Sequence, residues 1–228
     1  MEKIMEKTTA VVIDRPQGTN NEILEYIVPA VSAAEKPLFL AAKRAFDFLA
    51  AALLGLVLLV PMLLMALIIR LDSPGPALFR QERLGKGGKP FVMLKFRSMR
   101  LDAEADGPQW ANVHDERCTR FGALLRRSRL DELPQLWNIF MGDMSFVGPR
   151  PERAYFYDQF ETYIHGFRHR LAVKPGLTGL AQVSGGYDLQ PEEKIVFDME
   201  YIEKQSALLD LKCIVKTIKV VFTHKGAR

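Results

Sequence analysis

FLAAALLGLVLLVPMLLMALII, residues 48–69, is the stretch that decides what kind of chain this is. It carries no charge and is almost wholly aliphatic. As one straight helix it would reach about 33 Å, the thickness of a bilayer's hydrocarbon core. A buried helix of a water-soluble domain is a poor match for a run this long and this apolar, so the segment is expected to enter a membrane. Pro61 falls mid-run, where it removes one backbone hydrogen bond and is expected to push Val60 away from helical torsions. Lys43 and Arg44 precede the run, and Arg70, Arg80 and Arg83 follow it. Basic flanks prefer the cytosolic side, which asks for both ends there. Residue physics leaves two forms open: a single kinked span, or a helix broken at Pro61 that returns to the face it entered from.

Working outward on the N-terminal side, Asp47 lies one turn before the apolar body, with Lys43 and Arg44 at i−4 and i−3. An ion pair along the helix is expected there. Residues 1–42 are net acidic, although the whole chain has 31 Lys and Arg against 27 Asp and Glu, net +4. TTAVVID suggests a short strand, and Gly18-Thr19-Asn20-Asn21 a turn. The apolar run starts too late, and lacks the small-residue pattern after it, for a cleavable signal peptide. A basic body suits phosphates, nucleotides or an anionic leaflet. Nucleic-acid signatures are missing, so no nucleic-acid partner is expected. Cys118 and Cys213 lie in no ligand-like spacing and read as reduced thiols.

On the C-terminal side, SPGP at 73–76 stops the helix. ALFRQERLG and KPFVMLKFRSM, joined by Lys86-Gly87-Gly88-Lys89, read as a β-hairpin. On its second strand Phe91, Met93, Lys95 and Arg97 alternate onto one face. Lys95 and Arg97 suit either a diphosphate or a solvated strand edge. Residues 101–117 are polar and acidic, a loop or mobile helix, and Thr119 to Arg127 an amphipathic helix.

RRSRLDELPQLWNIFMGDMSFVGPRP, residues 126–151, carries the chemistry. Leu133, Leu136, Trp137, Ile139 and Phe140 have helical spacing, and Gly142 marks a stop. With Asp131 as N-cap, Pro134 falls in the first turn, where its missing N–H costs nothing. Asp131 and Glu132 then sit at the positive end of a helix dipole, close to Arg126, Arg127 and Arg129. Both influences favour an ionised carboxylate and a bound phosphate. A carboxylate can attack phosphorus, but an isolated Asp-Glu pair is far more often just a helix cap, and only the rest of the string argues otherwise. GPRP presents Arg150 rigidly between two prolines, as a bidentate phosphate ligand would be presented.

Taken together, KRAFDF from Lys43, QERLG, LKFRSM, DELPQLWN, GDMSFVGPRP, KPGLTGLAQVSG and DLKCIVKTIKVV resemble the bacterial polyprenyl-phosphate sugar-1-phosphate transferases. These monotopic enzymes start capsule, exopolysaccharide and O-antigen synthesis. The likeness runs from residue 43 nearly to the end. It implies an α-rich α+β monotopic membrane protein with a re-entrant membrane helix at 43–71 broken at Pro61, a small β-hairpin, and interfacial amphipathic helices. These would surround a compact cytosolic catalytic domain, residues 72–228, with 1–42 a variable extension. The resemblance further implies transfer of a sugar-1-phosphate from a UDP-sugar to undecaprenyl phosphate at the cytosolic face of the bacterial inner membrane, releasing UMP. Asp131 would be the nucleophile and would form an aspartyl phosphosugar. Glu132 would help hold Mg²⁺, and Arg150, with Lys95 and Arg97, would bind phosphate oxygens. Two positions depart from the family pattern. Val60 replaces the usual Ser before the helix-breaking Pro, and Ser184-Gly185-Gly186 replaces a segment that often carries Arg.

The remaining signals are less specific. Tyr155, Phe156, Phe160, Tyr163 and Phe167 form a near i, i+4 stripe that suits either a core or an interfacial helix. His165 and His169 have metal-ligand spacing but no HExxH, which argues against a metal there. Leu208, Leu211, Ile214, Val215, Ile218, Val221 and Phe222 share a helical face opposite Lys212, Lys216 and Lys219. That fits a helix lying in the bilayer interface or packing on the catalytic domain. The C-terminal motif, YIEKQSALLDLKCIVKTI, is more similar to members using plain hexoses. A membrane-anchored scaffold or sensor without catalysis is the other functional class the chain allows, and a homo-oligomer stays open.

Overall fold

The computed structural model describes residues 25–31, 36–105, 107, 115–185 and 189–223. The elements run β1 (Tyr26–Ile27), α1 (Pro37–Val57), α2 (Leu59–Asp72), β2 (Leu78–Leu84), β3 (Pro90–Phe96), α3 (Arg120–Ser128), α4 (Gln135–Met141), β4 (Ser145–Val147) and α5 (Ala154–Glu161). They continue with β5 (Ile164–His165), β6 (Gly176–Thr178), α6 (Leu180–Ser184), α7 (Pro191–Lys204) and α8 (Ala207–Thr223). Helices dominate. The strands form three separate two-stranded pairs: β2 with β3 antiparallel, and β1 with β5 and β4 with β6 parallel. The expected hairpin is present, with Leu78 facing Phe96 and Leu84 facing Pro90.

The apolar run forms two helices, α1 and α2, bent by 62°. The break is at Leu58, three residues before Pro61. A proline ring clashes with the carbonyl four residues back, so the distortion falls on the preceding turn. Pro61 itself occupies the first turn of α2, where a missing N–H is harmless, and Val60 stays helical. The bend is cheap because Leu58 still donates to Leu54 O and Met62 to Leu58 O. Among the described residues no single helix is long and apolar enough to cross a membrane, whereas this bent pair passes by length and composition together. α1 starts at Pro37, inside the segment expected to be a variable extension. The strand expected at TTAVVID lies outside the described residues.

Packing divides into three clusters. The largest joins Val28, Tyr157, Phe160, Ile164, Phe167, Ile195, Met199, Tyr201, Ile202 and Cys213. The stripe residues Phe156, Phe160 and Phe167 therefore belong to the core, while Tyr155 remains exposed. A second cluster sets Ala51 of α1 against Met93, Leu136, Ile139 and Met144, and a third sets Ile69 of α2 against Phe96 and Leu125. The bent pair thus touches the rest of the fold along a narrow line. Leu53, Leu56, Val60, Leu63 and Leu67 face outward, each more than half exposed. On α8, Leu208, Leu211, Val215 and Ile218 are exposed, and Ile214 packs partly against the main core.

The ion pair expected within α1 does not form. Lys43 Nζ reaches Asp210 Oδ2 on α8 at 2.5 Å. Arg44 donates to the carbonyls of Ile139 and Phe140, both at 2.8 Å, capping the negative end of α4. Asp47, buried, accepts from the Phe146 N–H instead. Each long cation finds a fixed partner on another element, and these contacts anchor α1 to the domain.

Candidate active site

α3 is capped at its start by Thr119 Oγ1, which accepts from the Gly122 N–H, and ends at Arg129 in left-handed backbone geometry (φ 58°). Such a φ is uncommon outside glycine. It swings the chain into a single 3₁₀ turn, Leu130–Glu132, before Pro134 and α4. Asp131 is therefore not the expected N-cap of the following helix: Pro134 holds that position, and the two acids lie in the turn before it. The stop expected at Gly142 is present as a left-handed C-cap, φ 93°.

Both carboxylates are buried, at 8% exposure each. Glu132 Oε1 accepts from Arg150 Nη2 at 2.5 Å and from Lys95 Nζ at 3.2 Å. Burial pushes Asp131 up to about 6, against the opposing pull of Lys95 and with added repulsion from the Glu132 carboxylate. Burial also opposes ionisation of Glu132. There, however, Arg150 and Lys95 outweigh it and hold the carboxyl well below its usual range. The neighbours are thus driven apart: Glu132 is a fixed anion paired to cations, and Asp131 a carboxylate of raised basicity. Such splitting is common where one carboxylate has to react and the other to organise.

Arg150 is held on several sides. Arg170 Nη2 donates to the Arg150 carbonyl at 3.0 Å, and Arg170 is itself paired with Asp198 at 2.6 Å in the interior. Arg83 bonds Glu152 Oε2 at 3.0 Å and the Pro151 carbonyl at 3.1 Å, bracing the turn from the other side. Gly148 lets this turn approach β6: a Cβ there would sit 2.4 Å from the Lys174 carbonyl. Any larger residue would push the Pro149–Pro151 turn outward.

Arg97 does not join Glu132. The Arg97 N–H still donates to the Ala77 carbonyl at 2.8 Å, continuing the ladder past Phe96, but its side chain takes other partners than Lys95 does. Its guanidinium, 4% exposed as a residue, instead donates to Ser73 O, Ser73 Oγ, Pro74 O and Ile69 O, capping the end of α2. Arg97 is a structural ligand of backbone carbonyls rather than part of a phosphate site. Pro61 belongs to the bend, in the first turn of α2.

His165 and His169 contact the residues flanking β1: His169 Nδ1 lies 3.1 Å from Val28 O, and His165 Nε2 3.4 Å from Glu25 Oε2. Among the described residues no group of three or more His, Cys, Asp or Glu could cage a metal. Sequence reading also missed Asn138, Arg83, Arg170 and Asp198. Their partners are backbone groups and side chains distant in sequence, such as Glu152 for Arg83 and Asp198 for Arg170, and their types and spacing carry no sign of it.

The sequence model of the bacterial sugar transferases matches residues 38–224, from the first turn of α1 to just past α8. The chain belongs to the bacterial sugar transferase family. Among similar proteins is a UDP-N-acetylgalactosamine-undecaprenyl-phosphate N-acetylgalactosaminephosphotransferase of Aeromonas hydrophila, 43% identical over 86% of this chain and 47% of that protein. UDP-glucose:undecaprenyl-phosphate glucose-1-phosphate transferases are 44% identical in Caulobacter vibrioides, over 81% of this chain and 71% of that protein, and 46% in Xanthomonas campestris, over 73% and 36%. The chain thus spans about half the length of the Aeromonas relative. In this member of the family the motif strings converge on one place: DELPQLWN supplies Asp131 and Glu132, GPRP supplies Arg150, and LKFRSM supplies Lys95.

Proposed function

We propose that this chain transfers a sugar-1-phosphate from a UDP-sugar to undecaprenyl phosphate, releasing UMP, as a first membrane step of surface polysaccharide synthesis. The observation that carries the reading is the convergence of Arg150 and Lys95 on Glu132 with Asp131 beside it, inside the family's matched region. Asp131, mostly ionised at neutral pH with its raised pKa of about 6, attacks the sugar-proximal phosphorus. A carboxylate O–P bond forms as the bond from that phosphorus to the bridging oxygen breaks, and UMP leaves with the electron pair. An oxygen of the lipid phosphate then attacks the same phosphorus and frees Asp131.

Arg150 and Lys95 neutralise phosphate oxygens as charge shifts to the leaving group, at no cost of reorganisation because they are already in place. Glu132, with Asp131 beside it, would hold a Mg²⁺, an ion that is ordinarily bound through one or two carboxylates. When bound, Mg²⁺ supplies charge neutralisation on the diphosphate. The α1–α2 pair re-enters the cytosolic leaflet of the inner membrane, with the exposed apolar row of α8 resting in the interface. A water-soluble donor and a lipid acceptor can then meet at one boundary.

The relatives divide between glucose and N-acetylgalactosamine at nearly equal identity, so the donor has to be read from turnover. The test is UMP release from the chain in nanodiscs with Mg²⁺, undecaprenyl phosphate and a panel of UDP-sugars, beside Asp131→Asn. Release with one sugar, lost in the variant, is expected. Release that survives in the variant removes Asp131 from its role, and no release with any donor overturns the reading.

A further inference from the structure

Asn138 lies on α4, six positions after Glu132, and is 2% exposed. Its side chain turns toward β3. Asn138 Oδ1 accepts from the Leu94 N–H at 3.0 Å, and Nδ2 donates to the Val92 carbonyl at 2.8 Å. Those two backbone groups belong to the edge of β3 that points away from β2, an edge that no other strand covers among the described residues. A strand edge leaves donors and acceptors without a strand partner unless something else pairs with them. One asparagine amide does so here, offering one acceptor and one donor at strand-like spacing.

We propose that Asn138 is a positioning residue for the carboxylate site: by standing in for a neighbouring strand on the free edge of β3, it holds Lys95 against Glu132. Lys95 directly follows Leu94, and Glu132 is tied to Asn138 through α4, so the Lys95–Glu132 contact at 3.2 Å closes a small ring. Two of its links are the Asn138 hydrogen bonds. Among the described residues the remaining tie of β3 to α4 is side-chain packing, and Met93 against Leu136 and Ile139 does not fix position along the strand. The Asn138 backbone carbonyl meanwhile accepts from Gly142, Asp143 and Met144. The residue therefore ties the end of α4 to the strand that carries the lysine. The inference rests on the transfer reading above only for its effect on turnover.

The test pairs two measurements on the full chain in nanodiscs. Acetic anhydride labelling of Lys95, followed by mass spectrometry, reads the lysine's protection without any substrate. Asn138→Ala is expected to raise Lys95 labelling at least about threefold while exposed Lys212 and Lys216 stay unchanged, since only residues sharing a contact are coupled. An unchanged far-UV circular dichroism spectrum and a cooperative thermal transition for Asn138→Ala guard against loss of folding. In turnover, Asn138→Ala and Lys95→Met are each expected to lower kcat about tenfold. The double variant should lie within about threefold of Lys95→Met rather than at the product of the two losses. A purely structural role would instead lower the active fraction and multiply with Lys95→Met. Unchanged Lys95 labelling, or multiplying losses, overturns the proposal. If the wild type turns over no donor, the transfer reading fails alone, and labelling still decides the part played by Asn138.

Discussion

The α1–α2 pair and the turn at Leu130–Glu132 distribute polarity in opposite ways. In the first, a row of leucines faces outward and only Asp47, Ala51 and Ile69 are fully covered. In the second, two adjacent carboxylates are sealed inside. An exposed apolar surface of this extent calls for a further apolar partner. A buried acid pair is tolerated only if cations and hydrogen bonds compensate it, and Glu132 has both. The contrast shows that burial in this protein follows partners rather than polarity. The leucines are outside because their partner, on the proposed reading, is lipid; the acids are inside because their partners are Arg150 and Lys95.

The comparison breaks first at Asp131. Asp131→Asn keeps the shape and removes the nucleophile, so turnover should fall by at least about 10³-fold with bilayer association unchanged. Equal loss of both would mean that the turn supports the fold rather than the reaction. The converse is Leu63→Asp, on the exposed face of α2. A charge at that depth costs about 3 kcal/mol, close to a 100-fold fall in vesicle partitioning, while turnover in detergent should remain near wild type. Partitioning unaffected by the aspartate would remove α1–α2 from the membrane.

A smaller effect separates two cations only two residues apart. Arg97→Leu leaves the carbonyls at the end of α2 without their donor and should lower stability by about 1–3 kcal/mol, with kcat of the folded fraction retained. Lys95→Met should do the reverse, lowering kcat with little change in Tm. The smallest effect is on pH. The reactive form of Asp131 is the carboxylate, and its pKa is raised to about 6, so the reactive fraction is nearly full at pH 7 and drops as pH falls through 6. Below that point kcat/KM should decrease about tenfold per pH unit, since it reports the free enzyme. A profile flat down to pH 5 would mean that another group sets the rate.

Much of the organisation was legible in the chain. The uncharged run around Pro61, the Lys86–Lys89 turn between alternating strands, Thr119 as a helix start and Gly142 as a stop all declare local structure through local residues. The acid pair and Arg150 were legible as motifs. What could not be read is contact across the fold. Strand alternation sets Arg97 beside Lys95, but the carbonyls at the end of α2 that attract its guanidinium lie more than twenty residues away in sequence. Lys43 and Arg44 suggested a local pair with Asp47, but Asp210 and the end of α4 were better placed. Asn138 gave no signal at all, since an asparagine inside an apolar helical pattern resembles an ordinary polar interruption.

The most direct test of the central claim omits the lipid acceptor. The chain is mixed with Mg²⁺ and its UDP-sugar, quenched, digested and analysed by mass spectrometry. The account predicts about one UMP released per active site in a burst, and a peptide containing Asp131 heavier by one sugar phosphate, absent from Asp131→Asn. No burst and no adduct, from protein that turns over normally once undecaprenyl phosphate is added, would contradict it and assign the reaction to direct attack by the lipid.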